Sequence, residues 1–306
     1  MRRYLVKRLL SLIPVLWGVS TFVFLIIHLI PGDPVDLMLG ETAEPADKAA
    51  LRSTLGLDKP LGLQYALFLG NLARGDVGRS LHTKRPVLKT IAERLPATAE
   101  LAVASLLLAI LIALPLGVCA AIRQYSWVDL GSMGFALLGV SIPHFWLGPL
   151  LILVFSVALD WLPVSGREGW AHLVLPTLTL GTALASILAR MTRASMLEVI
   201  RMDYVTVARA KGLRERVVIG RHALKNALIP LITLLGLQMG ALLSGAIITE
   251  TVFAWPGIGR LTVQAIHGRD YPLVQGCVLV IATVYVCMNF LTDLAYAWAD
   301  PRIKYE

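Results

Sequence analysis

Six apolar stretches, each long enough to cross a lipid bilayer as a helix, constrain the fold of this chain more than any other feature. A helix needs about 20 mostly apolar residues to span the hydrocarbon core. Hydrophobic residues make up 57% of the chain and charged residues only 16%, which excludes an ordinary soluble protein. The predicted fold class is an all-α membrane protein with six transmembrane helices, over about 9–30, 98–122, 131–158, 172–190, 227–249 and 273–299.

The first apolar stretch resembles a signal peptide because basic residues precede it. Its apolar run is too long for one, however, and no small-x-small cleavage pattern precedes Gly32, so an uncleaved first span is expected. The three cysteines all lie in apolar runs and predict neither a disulfide framework nor a zinc site. Prolines within the spans predict bent helices around a path, or simple packing kinks.

Orientation follows from the distribution of the 28 lysines and arginines. With the N-terminus inside, 16 of them fall on the cytoplasmic segments and three on the short outer loops. The other nine lie in the long segment 31–97, where the charge rule says little. Both termini are therefore predicted to be cytoplasmic. The net charge of +8 is explained as a topology signal, and nucleic-acid binding is not expected.

Two connecting segments are too long to be simple links. The outer one has helix-like stretches at 61–74 and 86–95 and is predicted to form a small periplasmic cap. The inner one, 191–226, carries nine positive charges when the adjoining Arg190 is included. The predicted organisation is an N-terminus with the first span at 1–30, a cap at 31–97, a transmembrane core at 98–299 that includes the inner loop, and a cytoplasmic tail at 300–306.

The inner loop contains a predicted short helix from about Asp203 to Lys211, capped by Asp203 and ended by Gly212. We expect it to present Ala208 and Ala210 outward among basic residues, where another protein's surface could approach the backbone closely. The alternative is that the positive charges only enforce topology and bind anionic lipid headgroups.

The order of residues in this loop favours docking. Asp203-Tyr204 through Val207-Ala208-Arg209-Ala210-Lys211-Gly212-Leu213, followed by Arg221-His222 through Ile229-Pro230, resembles the cytoplasmic coupling motif of ABC-importer permeases, in particular the dipeptide, oligopeptide and nickel family. Further matching stretches extend along nearly the whole chain, at 30–34, 55–61, 95–98, 161–167, 175–176, 192–197, 250–260, 269–272 and 300–303.

The chain departs from the general motif in two ways. Thr206-Val207-Ala208 stands where the motif opens with glutamate, and the stretch between Gly212 and Pro230 is longer. Both departures resemble the peptide and nickel branch, and they leave the partner's contact residues less defined. The resemblance assigns the role of coupling helix to Asp203, Tyr204, Val207, Ala208, Arg209, Ala210, Lys211 and Gly212.

The resemblance also implies the type I ABC importer architecture, a location in a bacterial inner membrane and a set of partners. These are a second homologous permease, two ABC ATPase subunits, a periplasmic or lipid-anchored substrate-binding protein, and membrane lipid. The chain contains no Gly-Lys dipeptide and so lacks a phosphate-cradling loop. It is therefore not expected to hydrolyse ATP itself, and ATP and Mg²⁺ are expected on the partner ATPases. Neither enzyme activity, nor catalytic or metal-binding residues, nor a bound cofactor is expected in this chain.

Polar residues are sparse within the spans, and such residues in lipid often have a function. Candidates for a translocation path are Ser141, His144, Trp146, Gln238, Asn289 and Asp293. The alternative for each is packing or hydrogen bonding. Gly236, Gly240 and Ser244 predict either a close helix-packing face or a mobile gate. The turn-rich segment 255–259 suits the lipid interface or a binding protein.

Small peptides are the expected substrates, with glutathione-like compounds and nickel chelates as alternatives. The six histidines are scattered and form no i, i+4 pair, which disfavours a dedicated metal pathway. A secondary transporter is a rival function, but neither inverted repeats nor clustered intramembrane charges are evident. A membrane enzyme is disfavoured because no catalytic constellation is present.

Overall fold

The computed structural model describes residues 2–29, 34–40, 43–54, 56–244 and 246–299. Within these residues the fold is helical, with an isolated β-bridge between Arg79 and Pro86. In chain order the helices are α1 (Arg2–Leu29), α2 (Pro34–Leu39), α3 (Pro45–Thr54), α4 (Leu61–Ala73), α5 (Val87–Ile122), α6 (Trp127–Ser141), α7 (His144–Leu151), α8 (Trp170–Ile200), α9 (Asp203–Ala210), α10 (Glu215–Val217), α11 (Leu224–Leu243), α12 (Ile247–Val252), α13 (Ile258–His267) and α14 (Tyr271–Ala299). The predicted tail, 300–306, lies outside the described residues.

Among the described residues, five continuous helical stretches are long and apolar enough to cross a membrane. They are α1, α5, α8, α10 to α11 through the π-helical segment Val218–Ala223, and α14. A sixth span is formed if α6 and α7 count together with Ile152–Ala158, a π-helical segment that continues α7. The two halves of this third span meet at an angle of 103°. Pro143 lies at the break, where it supplies no backbone donor. The predicted all-α membrane fold is confirmed, with its third span broken rather than continuous.

Several helix boundaries differ from the predicted apolar stretches. Helix α5 begins at Val87, so the predicted cap helix 86–95 and the second span are one helix of 36 residues. Helix α8 continues to Ile200, and α11 ends at Leu243, before the predicted 249. Apolar length locates the part of a helix that lies in lipid, whereas backbone hydrogen bonding continues into charged residues that face water.

Small residues allow the central helices to approach closely. A Cβ atom on Gly117 of α5 would lie 2.5 Å from the Cβ of Thr192 on α8. On α11, a Cβ atom on Gly236 would lie 2.0 Å from Thr292 Oγ1, and one on Gly240 would lie 3.4 Å from Met288 Cβ, both on α14. The described contacts of Gly236 and Gly240 therefore support packing within the subunit.

The helical bundle has two distinct ends. At the first, which we call the cap end, α4 packs on α1 through Tyr65 and Phe24, whose ring centroids are 5.1 Å apart. The connector before α5 contacts the start of α14 at this end, where Ser80 Oγ donates to Asp270 Oδ2 at 2.5 Å. The other end, which carries α9, is called the α9 end. Helix α8, with 31 residues and a length of about 46 Å, joins the two.

Candidate functional site

The predicted helix of the inner loop is present as α9, Asp203–Ala210. Met202 is its N-cap and provides no side-chain hydrogen bond, so the expectation that Asp203 caps the helix was wrong. Asp203 is instead the first helical residue, where its negative charge interacts favourably with the helix dipole. The helix ends before Gly212, whose φ of +76° is a left-handed conformation that glycine adopts without strain.

One face of α9 packs against its own chain. Val205 and Ala208, three positions apart, are buried and join a cluster with Met196 of α8 and with Ala223 and Ala227 around the start of α11. The expectation that Ala208 faces outward was therefore wrong, because the helical period places it on the same face as Val205. These two side chains fasten α9 to both adjoining spans.

The opposite face of α9 is open. Val207 is 51% exposed and Tyr204 37% exposed. Arg209, Ala210 and Lys211 are also exposed. We call this surface the outer face of α9. It combines a small apolar patch with positive charge. Ala210 lies on it as predicted, whereas Val207 occupies the place that was predicted for Ala208.

Polar contacts join α9 to the following segments. Asn226 Nδ2 donates to the Tyr204 hydroxyl at 2.6 Å, across to the first turn of α11. Arg209 Nη2 donates to Glu215 Oε1 at 2.9 Å, and this hydrogen-bonded pairing raises the pKa of Arg209. Together with the buried face, these contacts make α9 and the starts of α10 and α11 one packed unit.

The structure brings together two of the candidates for a translocation path. Asn289 and Asp293 line a cavity of about 170 Å³ beside Arg8, and Arg8 Nη2 lies 2.8 Å from Asp293 Oδ2. Asp293 is thus ion-paired with α1. The path role of these residues remains a prediction.

The remaining candidates lie on other elements. Ser141 Oγ donates to the Leu137 carbonyl of its own helix at 2.8 Å. Trp146 on α7 is exposed, and Gln238 on α11 is half-buried. The side chain of His144 lies outside the described residues.

A buried polar cluster at the cap end was not predicted. Glu250 of α12 is fully buried, and its carboxylate accepts the Thr98 hydroxyl at 2.8 Å and the Arg260 amide at 2.9 Å. Thr98 Oγ1 in turn accepts the Ile258 amide at 2.8 Å. Burial raises the pKa of Glu250, and the hydrogen bonds oppose this rise. We call Thr98, Glu250 and the N-terminus of α13 the cap-end cluster.

The segment 255–259 completes this cluster. Trp255 is fully buried, and its Nε1 donates to the Ala97 carbonyl at 2.8 Å. The expectation that this segment faces the lipid interface or a binding protein was therefore wrong for Trp255, Ile258 and Gly259, which are buried. A tryptophan among turn residues has no period that reveals its orientation, so the sequence offered no signal for its burial.

Comparison with known proteins assigns the chain to a family. Residues 113–305 match the family described as "Binding-protein-dependent transport system inner membrane component". Residues 1–102 match the family described as "Binding-prot-dependent transport system membrane comp, N-term". The chain belongs to this binding-protein-dependent permease family. The predicted resemblance to importer permeases is confirmed.

Relatives of this permease are similar over their full length. The dipeptide transport system permease protein DppB of Alkalihalophilus pseudofirmus is 46% identical, with 100% of each chain covered. The glutathione transport system permease protein GsiC is 46% identical in Pectobacterium atrosepticum and 44% identical in Escherichia coli K12, again with 100% of each chain covered.

Solved structures share the fold of this permease. A chain of the inward-facing MetNI methionine ABC transporter aligns with a TM-score of 0.56 and 19% identity, covering 70% of this chain and 97% of that one. An amino acid ABC transporter solved with histidines aligns with a TM-score of 0.51 and 14% identity, covering 71% and 95%. The fold is therefore that of ABC importer permeases, and the family match makes the chain a membrane-spanning permease subunit.

Proposed function

We propose that this chain is one of two permease subunits of an ATP-driven importer of small peptides in the bacterial inner membrane, with both termini in the cytoplasm. The full-length relatives named for dipeptide and glutathione transport support the substrate class. The excess of lysine and arginine on the segments at the α9 end supports the orientation. The α9 end then faces the cytoplasm and the cap end faces the periplasm.

The proposal rests on the contrast between the two faces of α9. Its inner face is fastened to α8 and α11, whereas its outer face is open around Val207 and Ala210. A partner that pushes on the outer face would displace two spans together. Such coupling needs an element with two packed arrangements that different partner states favour.

The partner on this face is proposed to be a pair of ABC ATPases, which would hold ATP and Mg²⁺. The chain has no Gly-Lys dipeptide for a phosphate-cradling loop of its own. The positive charges of Arg209 and Lys211 favour an acidic rim on the ATPase. A periplasmic or lipid-anchored binding protein would deliver substrate to the cap, proposed as residues 31–97, and a second homologous permease would complete the path through the 98–299 core.

Co-purification tests the docking surface. Val207→Glu places a negative charge on the outer face of α9, and we expect it to reduce the recovery of ATPase subunits with the permease at least about fivefold. Leu63→Glu is the matched control, because Leu63 is exposed on α4 at the cap end. Normal ATPase recovery with Val207→Glu would contradict the docking assignment. Uptake driven by a proton or sodium gradient without ATPases would indicate a secondary transporter instead.

Substrate class is tested with the complete complex in proteoliposomes. We expect ATP-dependent uptake of di- and tripeptides to exceed that of nickel chelates. Glutathione is the second candidate, because two of the similar full-length relatives are named for it. Uptake of glutathione but not of unmodified dipeptides would replace the peptide assignment. Uptake of a nickel chelate alone would exclude both.

A further inference from the structure

An ion pair joins the start of the broken third span to α8 near the α9 end. Arg193 Nε donates to Asp129 Oδ1 at 2.6 Å, and its Nη2 donates to Oδ2 at 2.7 Å. The Asp129 side chain is only 7% exposed. A two-pronged contact of this kind fixes both distance and orientation, which a single contact does not.

Local backbone contacts hold Asp129 in this geometry. Ser126 caps α6 by accepting the Asp129 amide at 3.4 Å. Asp129 Oδ2 also accepts the Tyr125 amide at 3.0 Å. The carboxylate is therefore rigidly attached to the first turn of α6, so a displacement of Arg193 acts directly on that helix.

An open surface pocket lies beside the ion pair. Its volume is about 530 Å³, and it is lined by Trp127, Leu130 and Met133 together with the pair itself. Farther along the two helices the packing is close, since a Cβ atom on Gly139 would lie 2.0 Å from Ser186 Oγ. At the end nearest α9, the ion pair provides a direct polar connection between α6 and α8.

Arg193 lies on the same continuous helix, α8, that leads to α9 through Arg201 and Met202. We propose that the Asp129–Arg193 pair is a positioning link, which makes α6 follow α8 when the ATPases displace α9. This inference rests on the proposed function of α9. The pair would carry the displacement to the break at Pro143, and so to α7.

The alternative role of the pair is to neutralise two charges near lipid. Neutralisation would affect folding and membrane insertion, but it would not change how efficiently ATP hydrolysis drives transport. The quantity that separates the two roles is the number of peptides transported per ATP hydrolysed by the assembled complex.

The experiment is a double-mutant cycle with Asp129→Asn and Arg193→Gln in the complete complex, reconstituted in proteoliposomes. Recovery of assembled complex and thermal unfolding are measured alongside transport and hydrolysis. We expect each single variant to retain its ATPases but to transport about tenfold fewer peptides per ATP. The double variant is expected to be no worse than either single one, since all three lack the same link.

Two further variants complete the design. Arg193→Lys keeps the positive charge without the two-pronged contact, and we expect an intermediate loss. It also replaces Arg193→Gln if that variant fails to assemble. Glu100→Gln with Arg167→Gln is the matched control, because Arg167 Nη2 and Glu100 Oε2 form a 2.6 Å ion pair at the cap end. The control is expected to keep the normal ratio of transport to hydrolysis.

Three results would overturn the link: an unchanged ratio in the single variants, additive losses in the double variant, or an equal loss in the cap-end control. Failure of even Arg193→Lys to assemble would show a purely structural role and would also overturn it. The docking role of α9 is tested separately. If Val207→Glu lowers ATPase recovery while the Asp129 and Arg193 variants transport normally, the link fails and the proposed function stands.

Discussion

Buried polar contacts join separate segments at the cap end, whereas at the α9 end several such contacts face water. The carboxylate of Glu250 is enclosed with Thr98 and the start of α13. Arg209 and Glu215, by contrast, form an exposed pair. Buried polar contacts are costly to break because the remaining groups lose both water and partners, whereas exposed ion pairs contribute little. The comparison indicates that the polar contacts of the cap-end cluster are harder to break than the exposed pair between α9 and α10.

The largest effect on stability is expected when the buried carboxylate of Glu250 is removed. Glu250→Ala leaves the Arg260 amide and the Thr98 hydroxyl without their acceptor, and we expect the free energy of unfolding to fall by about 3 kcal/mol. Thermal unfolding in detergent measures the change. Glu93→Ala is the control, because Glu93 pairs with Arg85 at the exposed surface of the same end. Equal losses in both variants would remove the distinction between buried and exposed contacts.

The next largest effect on stability is expected from substitutions on the two faces of α9. Ala208→Leu adds volume to the buried cluster around Val205, which overpacking should destabilise by about 2 kcal/mol. Val207→Leu, on the outer face, should change the free energy of unfolding by less than about 0.5 kcal/mol. Thermal unfolding of both variants checks the orientation of the helix. A larger loss for Val207→Leu would mean that the faces are reversed.

The pH dependence of stability sharpens the description of the cap-end cluster. The pKa of Glu250 is raised above its ordinary value of 4.5, so the folded state holds the proton more tightly than the unfolded state. Stability from this group is thus present below pH 4.5 and is lost as pH rises towards the folded pKa.

The Glu250→Gln variant does not titrate at this position and serves as the reference. Relative to it, the free energy of unfolding of the wild type should fall by at most about 1.4 kcal/mol per pH unit between the ordinary and the raised pKa. Unfolding temperatures of both proteins, measured from pH 4.5 upward, test this. A wild type that gains stability relative to the variant as pH rises would contradict the raised pKa.

The smallest effect is expected at the exposed pair. Arg209→Gln removes its contact with Glu215, and we expect a loss of about 0.5 kcal/mol that disappears at high salt. The same unfolding measurement at low and high ionic strength checks it. A loss as large as that of Glu250→Ala would show that the α9 end is fastened as firmly as the cap end.

Much of the fold and part of the candidate site were predictable without coordinates. Apolar length and the order of motifs depend only on short stretches of residues. They predicted the all-α membrane fold, the family and a helix from about Asp203 to Lys211, which the structure has over Asp203–Ala210. The break near Pro143 was also foreseeable in kind, because proline cannot continue the backbone hydrogen bonding of a helix.

What remained hidden depended on contacts between distant residues. The inward orientation of Ala208 follows from its packing against α8 and α11, and the burial of Trp255 from its hydrogen bond to Ala97. Asp129 and Arg193 lie 64 positions apart, so the sequence around either residue does not predict that they form an ion pair. Short stretches determine which helices form and where they meet lipid or water, whereas the side-chain partners exist only once those helices have packed.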